Sequence, residues 1–425
     1  MNGCASRQLD AEVRTAAVCA AVLLFAGWGA RTQAAEETPS PVSIGVWLYQ
    51  FAGENDYLAD LNGSYERATG RPVELFTHSW GEYPHRTEQW LGDQIRYAPD
   101  MLIIHDYHLP AAAGHAASLE GRFPSAFLAD LHPALLAQGR LEGVQLAIPW
   151  MTAPRALYYR ADVLEEAEIA PPQSLDALAQ AATDVADPPD MYGFGLPGLR
   201  DGGSPDAFMA IYRAMGGLLF NSKGRLAIAE YRGEQALTWL TDILTRGGTQ
   251  PEVLSWADVE LAQLFLDGRL AMLIERPWLL RELISRPPPF EFGVAPVPVS
   301  ESGHHHITTD CVIVLETARD VDACVDFIQF ALSRDQQRGL AGLGVPSVRK
   351  DALKRLPQDE RWAPFADALA KAHGPSPATW ADVGPLVSEL LEYTLSGRAT
   401  PRAALDAIDV QVLDDPEVER LNTIR

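Results

Sequence analysis

Residues Phe265 to Trp278 read FLDGRLAMLIERPW. The apolar run Leu270 to Ile274 has the length and composition of a buried strand, and it ends on Glu275, Arg276, Pro277 and Trp278. Those four side chains could do a particular kind of chemistry. A carboxylate accepts hydrogen bonds in bidentate fashion, and a guanidinium donates them in a fixed fork. An indole adds a large flat plate at low entropic cost. A stiff proline would present Trp278 at the strand end. Two plainer readings stand beside this one: Trp278 packs in a core, and Glu275 and Arg276 only pair with each other.

Other strand ends carry similar side chains. Val42 to Leu48 alternates as a strand and is followed by Tyr49 and Gln50. Val73 to Thr77 runs out into His78, Ser79 and Trp80, and Met101 to Ile104 into His105, Asp106 and Tyr107. Helical spacing lies between them, over Tyr57 to Thr69 and Glu88 to Arg96. The order β-α-β-α-β predicts a mostly parallel sheet with helices on its faces, whose ligands collect beyond the strands' C-terminal ends. Tyr49, Gln50, Trp80, Asp106 and Tyr107 are therefore candidates, although Asp106 could equally cap a helix. Trp47 falls on the inward alternation and reads as core.

Farther along, strand-like stretches alternate with helical ones. Leu141 to Ile148 leads into Pro149 and Trp150, Ala156 to Tyr159 reads as a strand, and Ser174 caps a helix to Ala182. A strand is expected over Ile307 to Leu315 and a helix over Asp320 to Ser333, and from Arg349 the chain is mainly helical.

The 425 residues suggest two or three domains, and 47% hydrophobic residues fill a sizeable core. A net charge of −23 argues against nucleic acid, which needs a basic footprint. Arg7 and Arg14 precede an apolar run from Ala16 to Ala26 and small residues up to Ala34 and Ala35. This is the layout of a signal peptide over 1–35, cleaved near Ala34 or Ala35 and leaving an exported, periplasmic protein. Cys311 and Cys324 remain after cleavage, as a disulfide or as a buried free pair. No nucleophile elbow, H-E-x-x-H or phosphate-binding loop is present, so no enzyme activity is expected. His304, His305 and His306 are adjacent, whereas metal ligands come from separated positions. A solvated loop, or one His facing a cleft, is the reading, and no metal or cofactor is expected.

Six fragments in order carry a resemblance: APDMLIIHDY, GVQLAIPWMTAPRALYYRADVLEEAEI, MGGLLFNSKGR, FLDGRLAMLIERPW, FGVAPVPV and GLGVPSVRKDAL. Together they resemble the maltose-type sugar-binding proteins of ABC importers, extracellular solute-binding proteins. The resemblance implies two α/β lobes, each a mostly parallel sheet flanked by helices, closing over a ligand cleft by hinge motion. Lobe 1 would hold 36–148 plus 303–345, and lobe 2 149–302 plus 346–425. A monomer that hands a carbohydrate ligand to membrane permease subunits is implied. A sugar ring needs a plate under its C–H face and polar groups at its rim. Trp278, Trp380 in PSPATWADV, and Trp150 are the implied plates, with Asp106, Tyr107, Gln50 and Glu275 on the hydroxyls. The family shows small residues before the strand that here follows GHHHITTDC, so a polyol, a glycerol phosphodiester, a polyamine or a sensor role stays open.

Overall fold

The structure is a computed structural model, and it describes residues 39–48, 54–79, 82–92, 98–198, 204–218, 226–251, 253–350, 359–371 and 377–414. The strands in chain order are β1 (Val42–Leu48), β2 (Val73–Ser79), β3 (Met101–His105), β4 (Arg140–Leu141), β5 (Val144–Gln145), β6 (Ala147–Thr152), β7 (Ala156–Arg160), β8 (Tyr192–Gly195), β9 (Leu270–Glu275), β10 (Phe292–Ala295) and β11 (Thr309–Val314). They form two main sheets. The first has the order β2-β1-β3-β11-β6, the second β10-β7-β9-β8, and β4 with β5 makes a small hairpin. Two lobes follow, each with its own sheet and its own core.

Both sheets are mixed, where mostly parallel sheets were expected. β1 runs parallel to β2 and β3, but β11 is antiparallel to β3 and to β6. In the second sheet β7 is antiparallel to β9 and β10, and only β8 and β9 are parallel. The cause lies in the crossings. β3 and β9 end on the polar residues His105 and Glu275, while β7 and β11 begin where the chain has just crossed from the other lobe. A strand that starts at a boundary must run against one that ends there.

β6 stays in the first sheet to Thr152 and β7 opens the second at Ala156, so the chain crosses at 153–155, a few residues past the expected 148/149 division. Later Val348 sits in the first core, and Trp362 and Phe365 sit in the second. Gly344, at a φ of 81°, lies against this crossing. A Cβ there would come within 2.2 Å of the Trp362 ring, so only glycine fits both the turn and the contact.

The first core gathers Ile44, Val46, Trp47, Ile148, Val312 and Phe327. The second packs Leu157, Phe194, Met272 and Ile274 against the helices Ser204–Ala214, Tyr231–Thr245 and Pro377–Leu395. Helix ends follow the local chemistry. Ser174 Oγ accepts from Ala177 N at 3.1 Å, and Asp320 Oδ1 accepts from Ala323 N at 2.9 Å. The helix Pro277–Ser285 was not expected; the strand pattern before it drew the reading, and its Pro sits in the first turn, where a missing N–H costs nothing. Cys311 and Cys324 are buried and free. Among the described residues no helix is long and apolar enough to cross a membrane.

Candidate functional site

On the second lobe the site grows from the end of β9. Glu275 is 1% exposed, and its Oε1 accepts from Arg276 N at 2.7 Å and from Trp278 Nε1 at 3.2 Å. Its Oε2 is buried with no hydrogen-bond partner. Tyr158 on β7 clamps the turn: its hydroxyl donates to the Arg276 carbonyl at 2.8 Å and accepts from Leu280 N at 3.0 Å. Asp258, at the start of the helix Asp258–Leu266, lies 3.4 Å from Arg276 Nη2 and 3.8 Å from Arg155 Nη2. Arg155 precedes β7, whose Ala156 is the strand partner of Glu275. Arg155 is 5% exposed, and its Nη2 makes no hydrogen bond. Burial, and then the nearby Asp258, push the Glu275 carboxyl above its ordinary value, against the pull of Arg276 and Arg155.

Trp278 is half-buried and lines a small pocket at the crossings with Thr152, Ala153, Arg276, Val345 and Pro346. The aromatic plate, the carboxylate and the two guanidinium groups thus occupy one neighbourhood. Glu275 and Arg276 do face each other, at 3.7 Å, but Arg276 also reaches Asp258, so the pair is part of a larger cluster.

On the first lobe Asp106 follows β3 and is buried. Its Oδ1 accepts from Tyr107 N at 2.9 Å and meets His105 Nδ1 at 2.9 Å, while its Oδ2 accepts from Thr309 N at 3.0 Å. The carboxylate therefore ties the start of β11 to the end of β3. Burial opposes protonation of His105, but Asp106 outweighs it and raises the imidazole above its ordinary value. Tyr107 stacks on His105 with centroids 4.0 Å apart and packs against the second lobe's core.

A second His–Asp contact joins the lobes: His306 Nε2 lies 3.3 Å from Asp206 Oδ1, at the start of the helix Ser204–Ala214. Burial works against the Asp206 carboxylate, yet the hydrogen bond to His306 holds its pKa below the ordinary value. His305 and His306 are both buried, which corrects the solvated-loop reading. Among the described residues no cluster could hold a metal ion.

The candidates chosen from sequence separate accordingly. Glu275, Arg276 and Trp278 come together, and Asp106 and Tyr107 stand at the first lobe's strand end. Trp150 does not join them. It is 2% exposed and packs in the first core near Phe327, because the alternation along β6 puts it on the face beneath the helix Val321–Ala331. Tyr49, Gln50 and Trp80 lie outside the described residues, as does the side chain of Trp380, whose backbone belongs to the helix Pro377–Leu395. Arg155, Asp258 and Asp206 were missed. An acid at a helix start reads as dipole compensation, and a lone Arg in a crossing carries no local signal.

Comparisons with known proteins agree with this architecture. Residues 30–372 match the family described as bacterial extracellular solute-binding protein. A binding protein of Brucella abortus is 25% identical over 311 residues, 69% of this chain and 73% of that one. Among solved structures, an ABC transporter solute-binding protein of Thermotoga lettingae bound with α-D-tagatose has a TM-score of 0.78 at 20% identity, covering 91% of this chain and 99% of that chain. The maltose-bound MalE3 of T. maritima has a TM-score of 0.77 at 20% identity, covering 90% and 100%.

Proposed function

This chain belongs to the family of bacterial extracellular solute-binding proteins, and we propose that its solute is a saccharide or closely related polyol, captured between the lobes for an ABC importer. One observation carries the reading. Around the turn that carries the half-buried Trp278, two buried polar atoms of opposite sense lack hydrogen-bond partners. They are the acceptor Glu275 Oε2, whose other oxygen holds the indole, and the donor Arg155 Nη2, which lies 3.8 Å from the Asp258 that also meets Arg276. Hydroxyl groups both donate and accept, so a saccharide carries partners for atoms of either sense, and its C–H face suits the indole. The tagatose and maltose named for the two similar structures are ligands of that kind.

The mechanism is binding without turnover. The lobes part at the crossings near 153–155 and Gly344, a sugar stacks on Trp278, and Glu275 and Arg155 take its hydroxyls. The same binding role is proposed for Trp380 as a second plate and for Gln50, Tyr49 and Trp80. Closure desolvates the ligand, and the closed monomer docks on the permease subunits. Removal of the first 34 or 35 residues on export leaves this form in the periplasm.

A thermal-shift screen of the mature protein against sugars, polyols, phosphodiesters and polyamines tests the reading. A ligand at ~100 times its Kd stabilises by about 2.7 kcal/mol. A response to a sugar or polyol is the expected result. A response only to phosphodiesters or polyamines would keep the family and sink the saccharide.

A further inference from the structure

The second lobe holds a small apolar cavity that saccharide hydroxyls alone leave unused. It lies between the end of β8, the helices Ser204–Ala214 and Pro377–Leu395, and Ile274 of β9, one residue before Glu275. Phe208, Ile274 and Leu391 wall it, and the partly exposed Ala207 lines it. Among the described residues Arg155 is its one charged lining residue, so the cavity and the polar cluster share a wall. Its volume is about 30 Å³. A single water-sized group needs roughly 10–15 Å³ on the same measure, and an apolar cavity does not hold water readily. The space therefore suits a short apolar group rather than an aromatic ring.

We infer that the ligand is an acylated saccharide whose acyl carbonyl accepts a hydrogen bond from Arg155 Nη2 and whose methyl end fills this cavity. The inference rests on the saccharide reading above and narrows it. The buried Arg155 Nη2 lacks a hydrogen-bond acceptor, and the described walls of the cavity behind it are mainly apolar. A carboxylate is the worse occupant. Asp258 already lies 3.8 Å from Arg155 Nη2 and 3.4 Å from Arg276 Nη2, so both guanidinium groups have an anion beside them and a neutral carbonyl supplies the missing acceptor without burying another charge. N-acetyl and O-acetyl sugars share the required group.

Calorimetric titration of the mature protein with matched probes decides the matter: glucose, N-acetylglucosamine, O-acetylglucose and glucuronate, with cellobiose and diacetylchitobiose as longer forms. The acylated member of a set is expected to bind about tenfold or more tightly than its parent. That preference should collapse in Arg155→Met, which removes the donor, and in Ala207→Leu, which occupies the cavity. If Arg155→Met does not fold, Ala207→Leu alone carries the test. Equal or tighter binding of the unacylated sugar, preference for glucuronate, or an acyl preference that survives both substitutions overturns the inference and leaves the saccharide reading standing. If sugars of neither kind bind, the saccharide reading has failed as well.

Discussion

The two polar clusters at the lobe boundary use the same kinds of side chain in opposite ways. On the first lobe both oxygens of Asp106 are taken, by Tyr107 N, His105 and Thr309 N. On the second, Glu275 has one oxygen bound twice and the other not at all, and Arg155 keeps an N–H without an acceptor. A satisfied buried network fixes geometry, whereas a buried atom without a partner is costly unless something else supplies one. The bonds of the Asp106 carboxylate suit it to positioning β11 against β3, although Thr309 Oγ1 beside it has no hydrogen-bond partner, and on the proposed saccharide reading the cluster around Glu275 receives the ligand.

The largest effect should come from the satisfied side. Asp106→Ala strands the Thr309 and Tyr107 amides and removes the partner of His105, and should cost about 3–5 kcal/mol of stability in chemical denaturation. A loss below about 1 kcal/mol would remove the contrast between the two faces. The same variant lowers the His105 pKa. In the intact protein that pKa is raised, so its contribution to stability is full below the ordinary 6.5 and fades as pH rises through the raised value. Asp106→Ala should flatten that part of the stability profile.

Trp278→Ala should act the other way round, on affinity more than on stability. A half-buried plate at a binding site is worth about 2 kcal/mol, or roughly 30-fold in Kd. Unchanged affinity for a confirmed ligand would move the site elsewhere.

Glu275→Gln keeps an oxygen for Arg276 N and Trp278 Nε1, and turns the unpartnered oxygen into an amide donor. Affinity should fall by about tenfold, the loss of one hydrogen bond to a charged group. Stability should rise at neutral pH. The folded carboxyl sits above its ordinary 4.5, so the fold holds that proton more tightly than the unfolded chain does. Its contribution is full below 4.5 and is lost as pH rises through the raised value, and the amide escapes that loss. Thermal melts from pH 4 to pH 8 read it; parallel curves for the two proteins would contradict the assignment.

The smallest change is expected from Trp150→Phe: a cost of about 1 kcal/mol in stability and Kd within about twofold of the parent. A larger loss of affinity would return Trp150 to the cleft.

Trp150 and Trp278 also mark how far sequence reading reaches. Each follows a proline at the end of an apolar run, and nothing local separates them. Their fates differ because β6 is covered by the helix carrying Phe327, whereas Trp278 opens a helix beyond the end of β9. Strands such as β1, β3 and β9 were legible, since short apolar runs bounded by turns leave few other solutions. The antiparallel placement of β11 was not, because period and composition say nothing of the direction in which a strand joins its sheet. Arg155 and Asp258 were illegible for a similar reason: each reads as an ordinary surface charge until the fold brings them to 3.8 Å.

By itself, then, the sequence determined most of the strands, their order, and the six fragments that pointed to the family. The helix Pro277–Ser285 escaped it, and a helix expected over 88–96 runs over Tyr83–Leu91. What was legible depends on patterns a few residues long, which local sterics and burial read directly. Only the tertiary structure decided which polar groups are satisfied and which are left waiting. A hydrogen bond needs its partner within about 3 Å, and Asp106 finds Thr309 N, as Arg155 finds its neighbour Asp258, only through chain segments far apart in sequence.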